Sequence, residues 1–300
     1  MKIGLIGLGR MGANMARRLI ENGIEVAGYD LSAENARRAA EAGVEAVDSL
    51  EELVGTLDAP RIVWVMVPHG EPTRATISSL LDRVEPGDLI VDGGNTLYTE
   101  SIEHARVSGE RNVDFLDVGV SGGVWGLEIG YNLMIGGTAE AFERLEPAFR
   151  ALAPPDGYAH VGPSGAGHFV KMIHNAIEYA MLQALGEGFE CLERSEFGLD
   201  LGAIARLWQN GSVVRCWLLE LLAGAFTDEG NELARIEPWI DDSGTGRWSV
   251  DYALEKAIPI PAITTSLYER FESRTERRFA HQVIAALRNQ FGGHAVREAE

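Results

Sequence analysis

Two hydrophobic periods divide the chain. As far as Val161, short apolar runs alternate with amphipathic segments. The runs Lys2–Ile6, Glu25–Tyr29, Arg61–Val67, Asp88–Val91, Val113–Val118, Tyr131–Ile135 and Tyr158–Val161 predict strands. The segments Met11–Glu21, Ala33–Ala42, Pro72–Val84, Ser101–Ser108 and Ala139–Leu152 carry apolar residues at helical spacing. Alternation of this kind predicts a doubly wound, mostly parallel sheet covered on both faces. From Ser164 onward only the helical period remains, broken at Asn210-Gly211, Asp228–Asn231, Asp241–Gly246 and Pro259–Pro261. The expected organisation is an α/β Rossmann-type domain over 1–163, followed by an all-α domain over 164–300.

The first strand runs into Gly7-Leu8-Gly9-Arg10-Met11-Gly12, and a helix follows. In that context Gly-x-Gly-x-x-Gly predicts a dinucleotide site. Gly7 allows the turn, Gly9 admits a pyrophosphate to the backbone, and Gly12 lets helix and strand pack closely. The diphosphate then sits at the helix N-terminus. The second strand leads to Asp30, whose carboxylate suits the ribose hydroxyls of NAD and repels the 2′-phosphate of NADP. Leu31 and Ser32 follow, with no arginine to receive that phosphate. NAD is therefore the expected cofactor. Val67 ends one strand and is expected near the adenosine. Asp92-Gly93-Gly94-Asn95 ends another, and Asn95 is placed to reach the nicotinamide ribose or a substrate. Ser121-Gly122-Gly123 exposes backbone N–H groups suited to a carboxylate.

One helical segment departs from the core pattern. Between His168 and Tyr179, the polar residues Lys171, His174, Asn175, Glu178 and Tyr179 occupy one helical face. The positions between them are apolar, so the stripe is expected to line an internal cleft rather than solvent. Lys and Glu are rarely buried unless paired.

These elements together resemble the β-hydroxyacid dehydrogenase superfamily. The blocks Asp92–Asn95, Gly165–Tyr179, Gly244-Thr245-Gly246-Arg247-Trp248 and Phe291-Gly292-Gly293-His294 resemble one branch of it, the decarboxylating 6-phosphogluconate dehydrogenases in their short form. The resemblance implies oxidation of a 6-phosphogluconate at C3, loss of C1 as CO2 and formation of ribulose 5-phosphate. It implies Lys171 as the base at the C3 hydroxyl and Glu178 as the acid that protonates C1 of the ribulose 5-phosphate formed. A lysine base must lose its proton, so Lys171 needs desolvation and a neighbouring imidazole. Asn95, His174 and Asn175 are implied to hold hydroxyls, and Ser121, Gly122 and Gly123 the C1 carboxylate. Tyr179, Thr245, Arg270 and Arg288 are implied at the phosphate. In the family the tail enters the neighbouring subunit's site, so Arg288 and His294 are expected to serve a second copy, in a homodimer or dimer-based tetramer. The family's lysine before Gly-Thr-Gly is replaced here by Ser243, which places more of the phosphate charge on Arg270 and Arg288. The other readings are a 3-hydroxyisobutyrate-type dehydrogenase on the same fold and a non-catalytic nucleotide sensor.

Charge sharpens the phosphate question. The net charge is −19, and lysine occurs only at positions 2, 171 and 256 among 26 basic residues. This argues against nucleic-acid binding. It also opposes approach of an anionic substrate, so an anion site must be built from local cations. No apolar run approaches the roughly 20 residues that span a bilayer. Cys191 and Cys216 show no metal-ligand spacing and suit a reducing cytoplasm; no metal site is expected. An acidic, lysine-poor surface suits a high-salt interior, where screening relieves self-repulsion. Melting temperature is therefore expected to rise steeply with KCl, and full stability in dilute buffer would contradict this.

Overall fold

The computed structural model describes residues 1–276 and 278–292. The chain forms two compact units, Met1–Asn175 and Ala176–Glu300.

In the first unit, β1 (Lys2–Ile6), α1 (Arg10–Glu21), β2 (Glu25–Tyr29), α2 (Ala33–Glu41), β3 (Glu45–Ala46), α3 (Leu50–Gly55), β4 (Ile62–Val65), α4 (Glu71–Leu81), β5 (Leu89–Asp92) and α5 (Tyr98–Gly109) wind a parallel sheet. Then β6 (Asp114–Ser121), α6 (Gly126–Ile129), β7 (Asn132–Gly137), α7 (Ala139–Leu152) and β8 (Tyr158–Gly162) extend it. The strand order is β3-β2-β1-β4-β5-β6-β7-β8, and only the β6–β7 pair is antiparallel. The period of two along each strand divides the core. Ile3, Leu5, Trp64, Leu89 and Val91 pack on one face with Met15 and Leu19 of α1 and Phe149 and Leu152 of α7. Ile6, Val63, Val65 and Ile90 pack on the other with Leu53 of α3 and Ile77 and Leu80 of α4. The doubly wound architecture expected from the apolar runs is the one observed.

Some details differ from expectation. β3, α3 and α6 are additional to the expected elements: β3 is only two exposed residues and α6 is only four residues long, whereas α3 carries a legible start signal. Ser49 Oγ accepts the Glu52 N–H at 3.1 Å, and the Glu52 carboxylate accepts the Asp48 N–H at 2.9 Å. The first unit also extends past Pro163, into α8 (Ala166–Glu193), because the first turns of that helix lie against β6 and β7.

The second unit is helical among its described residues. The C-terminal half of α8 is followed by α9 (Leu201–Trp208), α10 (Trp217–Glu229), α11 (Thr245–Glu255), α12 (Pro261–Glu272) and α13 (Phe279–Gly292). The breaks fall where Asn-Gly, the Asp228–Asn231 turn and Pro261 put them. Phe189, Leu201, Ala205, Leu219, Ala223 and Phe226 form its buried cluster. The C-terminal helix runs on to Gly292, so Arg288 lies inside α13 rather than on the tail that the resemblance implies. No helix among the described residues is long and apolar enough to cross a membrane.

Candidate active site

The glycine turn is built as its spacing requires. Gly7 adopts φ +93°, where an L side chain is strained, and a Cβ on Gly12 would collide with the Gly7 carbonyl. A Cβ on Gly9 would meet nothing within 4 Å, and the Gly9 position gives α1 no side-chain cap. The helix N-terminus thus opens onto space, next to a cleft of about 500 Å³ lined by Leu8, Gly9, Arg10, Asn14, Arg17 and Arg38. Open N–H groups, a helix dipole and flanking arginines fit a dinucleotide diphosphate. Met11 is half-buried and packs on the first core cluster. Val67 packs against Gly7, with its Cγ1 3.3 Å from where a Cβ would stand.

Asp30 closes the turn. Its Oδ2 accepts the Leu8 N–H at 2.6 Å, and its Oδ1 accepts the Ser32 N–H at 2.7 Å and Asn35 Nδ2 at 3.3 Å. Asn35 in turn accepts from Arg38 at 2.6 Å. No arginine directly follows Asp30 in the chain. The structure brings one from the far end of α2, where helical periodicity returns Arg38 to the cleft.

The strand ends gather the next group. Asp92 is fully buried at the end of β5 and accepts the Gly94 N–H at 2.9 Å and the Thr96 hydroxyl at 2.7 Å. His104 lies 3.9 Å away, and its burial pushes the imidazole pKa down against the pull of Asp92. The held turn puts Asn95 at φ +53°, and Asn95 Oδ1 accepts the Val120 N–H at 3.2 Å. Ser121, Gly122 (φ +123°) and Gly123 (φ +52°) leave β6 beside it.

Lys171 is buried at 6% exposure, with its Nζ 3.5 Å from His174 Nδ1. That nitrogen is also 3.0 Å from Asn175 Oδ1, while His174 Nε2 lies 3.4 Å from Ser121 Oγ. The imidazole therefore ties the polar stripe of α8 to the end of β6. Glu178 follows one turn beyond His174 and is half-buried. The apolar flanks are less covered than expected: Val170, Ile177, Met181 and Leu182 are exposed in the single chain.

In the second unit the Tyr179 hydroxyl is 3.0 Å from Ser243 Oγ, which is 3.0 Å from Thr245 Oγ1. Gly246 packs on the Tyr179 ring, and the Arg270 guanidinium lies 3.5 Å above the ring centroid. Arg270 Nη1 also donates to the Asp241 carbonyl at 2.7 Å. Three hydroxyls and one oriented cation thus lie together. Arg288 is exposed on α13, and His294 lies outside the described residues.

Sequence reasoning missed Asp117 and Ser101. Asp117 is fully buried in β6, and its carboxylate accepts the N–H groups of Gly165 at 2.6 Å and His168 at 2.8 Å. Such charge-assisted bonds contribute about 1.5–3 kcal/mol each. Ser101 Oγ is 2.7 Å from His168 Nδ1. The signal for Asp117 is a lone carboxylate inside the apolar run Phe115–Val118.

Two family models account for nearly the whole sequence. The NAD binding domain of 6-phosphogluconate dehydrogenase matches residues 2–162, and the C-terminal domain of 6-phosphogluconate dehydrogenase matches residues 167–300. The chain belongs to the 6-phosphogluconate dehydrogenase family. An NAD(+)-dependent, decarboxylating 6-phosphogluconate dehydrogenase of Haloferax volcanii is 45% identical over 297 residues, covering 99% of this chain and 98% of that protein. The Plasmodium falciparum 6-phosphogluconate dehydrogenase superposes with a TM-score of 0.84 at 27% identity, covering 100% of this chain and 67% of that one. A Mycobacterium tuberculosis 3-hydroxyisobutyrate dehydrogenase superposes less closely, with a TM-score of 0.72 at 25% identity over 88% of this chain and 90% of that one.

The Asp30 contacts lead to a test. Replacing Asp30→Asn is expected to lower kcat/KM for NAD at least about tenfold, the worth of one hydrogen bond to a charged group. The NADP-to-NAD ratio should rise, since the repelling charge is gone while Arg38 remains. An unchanged ratio in steady-state assays with both cofactors would show that another group reads the ribose.

Proposed function

We propose that this chain oxidises 6-phosphogluconate at C3 with NAD and releases C1 as CO2, leaving ribulose 5-phosphate. The reaction belongs to pentose phosphate chemistry. The observation that carries the reading is a buried amine, Lys171, on the same helix face as the carboxylate Glu178 seven residues on.

The chemistry asks for two proton transfers on either side of a decarboxylation. Lys171 takes the proton of the C3 hydroxyl, and bound nicotinamide supplies the hydride acceptor. Lys171, now an ammonium, donates a hydrogen bond to the new C3 ketone. This polarises the β-keto acid and stabilises the electrons left when C1 departs as CO2. As C1 departs, Lys171 passes its proton to the C3 oxygen to complete the enediol. Glu178 then protonates the former C2, now C1 of the product, while Lys171 takes the proton back as the C3 hydroxyl becomes the product's C2 ketone. Transfer of that proton from Lys171 to Glu178 restores both groups. His174, with Nδ1 beside Lys171 and Nε2 beside Ser121, keeps the amine next to the hydroxyl-binding groups.

Ser121 and the N–H groups of Gly122 and Gly123 hold the departing carboxylate, and Asn95 and Asn175 hold hydroxyls. Tyr179, Thr245 and Arg270 hold the phosphate, with Ser243 contributing a hydroxyl where the family has a charge. Gly7 to Gly12, Asp30 and Val67 hold NAD. Asp30 favours it over NADP, in keeping with the NAD dependence of the Haloferax relative. A homodimer or dimer-based oligomer covers the exposed apolar positions of α8 and those of α13, where Phe279, Val283, Ile284 and Leu287 share a face. In that assembly Arg288 and His294 of a second copy complete the phosphate site. The two free cysteines suit a reducing cytoplasm.

The direct test is NADH formation from 6-phosphogluconate with release of CO2, using gluconate and 3-hydroxyisobutyrate as controls. Equal or greater turnover of 3-hydroxyisobutyrate would move the assignment to the neighbouring branch. NAD binding without turnover would make the chain a sensor. Replacing Arg270→Ala should raise KM for the phosphosugar acid about tenfold to a hundredfold, with a much smaller change in kcat. An unchanged KM would remove Arg270 from the phosphate site.

A further inference from the structure

One face of β6 meets one face of α8 residue by residue. Asp117, Gly119 and Ser121 alternate along the strand and so point to the same side. Opposite them stand His168, Lys171 and His174, spaced by one helical turn. Asp117 accepts the His168 N–H, a Cβ on Gly119 would collide with the Lys171 side chain, and Ser121 Oγ reaches His174 Nε2. The approach is closer than side chains would allow. A Cβ on Gly136 would fall 2.6 Å from Asp117 Oδ1 and 2.7 Å from the Gly167 nitrogen, and one on Gly167 would collide with the Asp117 carbonyl.

Of the three strand residues, Asp117 holds the helix by its backbone. Gly165 immediately precedes α8 and His168 lies in its first turn, where no earlier carbonyl of the helix can accept their N–H groups. A serine or aspartate at the helix start usually does this. Here the carboxylate comes from a strand of the neighbouring sheet and is fully buried. Its two oxygens bind two N–H groups three residues apart, which fixes both the rotation and the rise of α8 against β6. Ser101 adds a second hold on the same turn through the His168 ring, at 2.7 Å.

We infer that Asp117 is the positioning residue for Lys171: it sets the register of α8 on β6, and that register puts the amine opposite Gly119 and beside His174. The inference rests on Lys171 being the base of the proposed reaction.

The test compares Asp117→Asn with the unaltered enzyme and with Lys171→Met. An amide keeps the size of the side chain but offers one acceptor in place of two. The expected result is an unchanged Kd for NAD, because the glycine turn lies on other strands. kcat should fall roughly a hundredfold, the scale of an ångström-sized misplacement. The deuterium isotope effect on kcat with 3-deuterated 6-phosphogluconate should rise, because C–H cleavage becomes slower than the other steps. An unchanged kcat would overturn the inference. So would a lower kcat with an unchanged isotope effect, because that reports fewer active molecules rather than a misplaced base. Lys171→Met separates the two readings: if it keeps activity within tenfold of the unaltered enzyme, the base assignment fails. If Asp117→Asn does not fold, hydrogen exchange on the unaltered enzyme decides. Protection of the Gly165 and His168 amides supports the cap, and exchange at the rate of a frayed helix end overturns it.

Discussion

The chemistry of this fold depends on backbone lying directly on backbone where α8 begins. A side chain of ordinary length between β6 and α8 would hold the helix axis and the sheet about 10 Å apart, the usual spacing of packed layers. Gly119, Gly136 and Gly167 remove that layer. What they leave is a tight seat in which a carboxylate can bind two amide groups and a lysine can lie against a strand. Burying an amine is costly unless it is paired or loses its charge. Lys171 is held beside the His174 imidazole, with its side chain lying against Gly119 of β6.

The same economy of space governs the cofactor end. Gly12 touches the Gly7 carbonyl, and Gly7 takes a backbone angle closed to L side chains. The Asp30 carboxylate then draws the Leu8 amide inward from the next strand. A group proposed to read the ribose is thus also part of the turn proposed to receive the diphosphate. Asp117 at the start of α8 and Asp30 beside the start of α1 are alike in this: each is a carboxylate fixed by backbone N–H groups next to the place where chemistry or recognition is proposed.

Much of this is legible in the sequence because parallel strands buried on both faces read as unbroken apolar runs. Glycines at the end of such a run mark a tight turn or a close approach of backbone. The α8 stripe is legible because polar residues stand at core spacing. What stays hidden has physical causes. β3 is two exposed residues and leaves no periodicity. Ser49 and Glu52 do spell out a helix start, but the helix behind them is a single short turn and a half. Arg38 is separated from Asp30 in sequence and near it in space, because α2 folds back over the cleft. Asp117 sits in an apolar run, where one carboxylate is easily passed over as an edge residue; its partners lie on a different element and cannot be paired with it from spacing. The resemblance puts Arg288 on a tail, yet no glycine or proline interrupts the helix before Gly292, so α13 continues through it.

The charge of the chain and the charge of its substrate oppose each other, and the proposed phosphate site would meet that conflict. A net charge of −19 repels a phosphorylated acid at long range. Screening shortens that repulsion to about 8 Å at physiological ionic strength and about 3 Å at 1 M salt. Attraction at contact distance is hardly screened when the cation is partly buried. Arg270 meets that condition: its guanidinium carbon lies 3.5 Å over the Tyr179 ring centroid, and one N–H is held by the Asp241 carbonyl. These two contacts restrain the fork and lower the entropy lost on binding, which a lysine's flexible stem would not do. Ser243, Thr245 and Tyr179 surround it with hydroxyls that can bond a phosphate and add no charge of their own. A protein this acidic gains little from more surface cations, which its own carboxylates would pair. It would gain more from arginines whose geometry is already set, as that of Arg270 is.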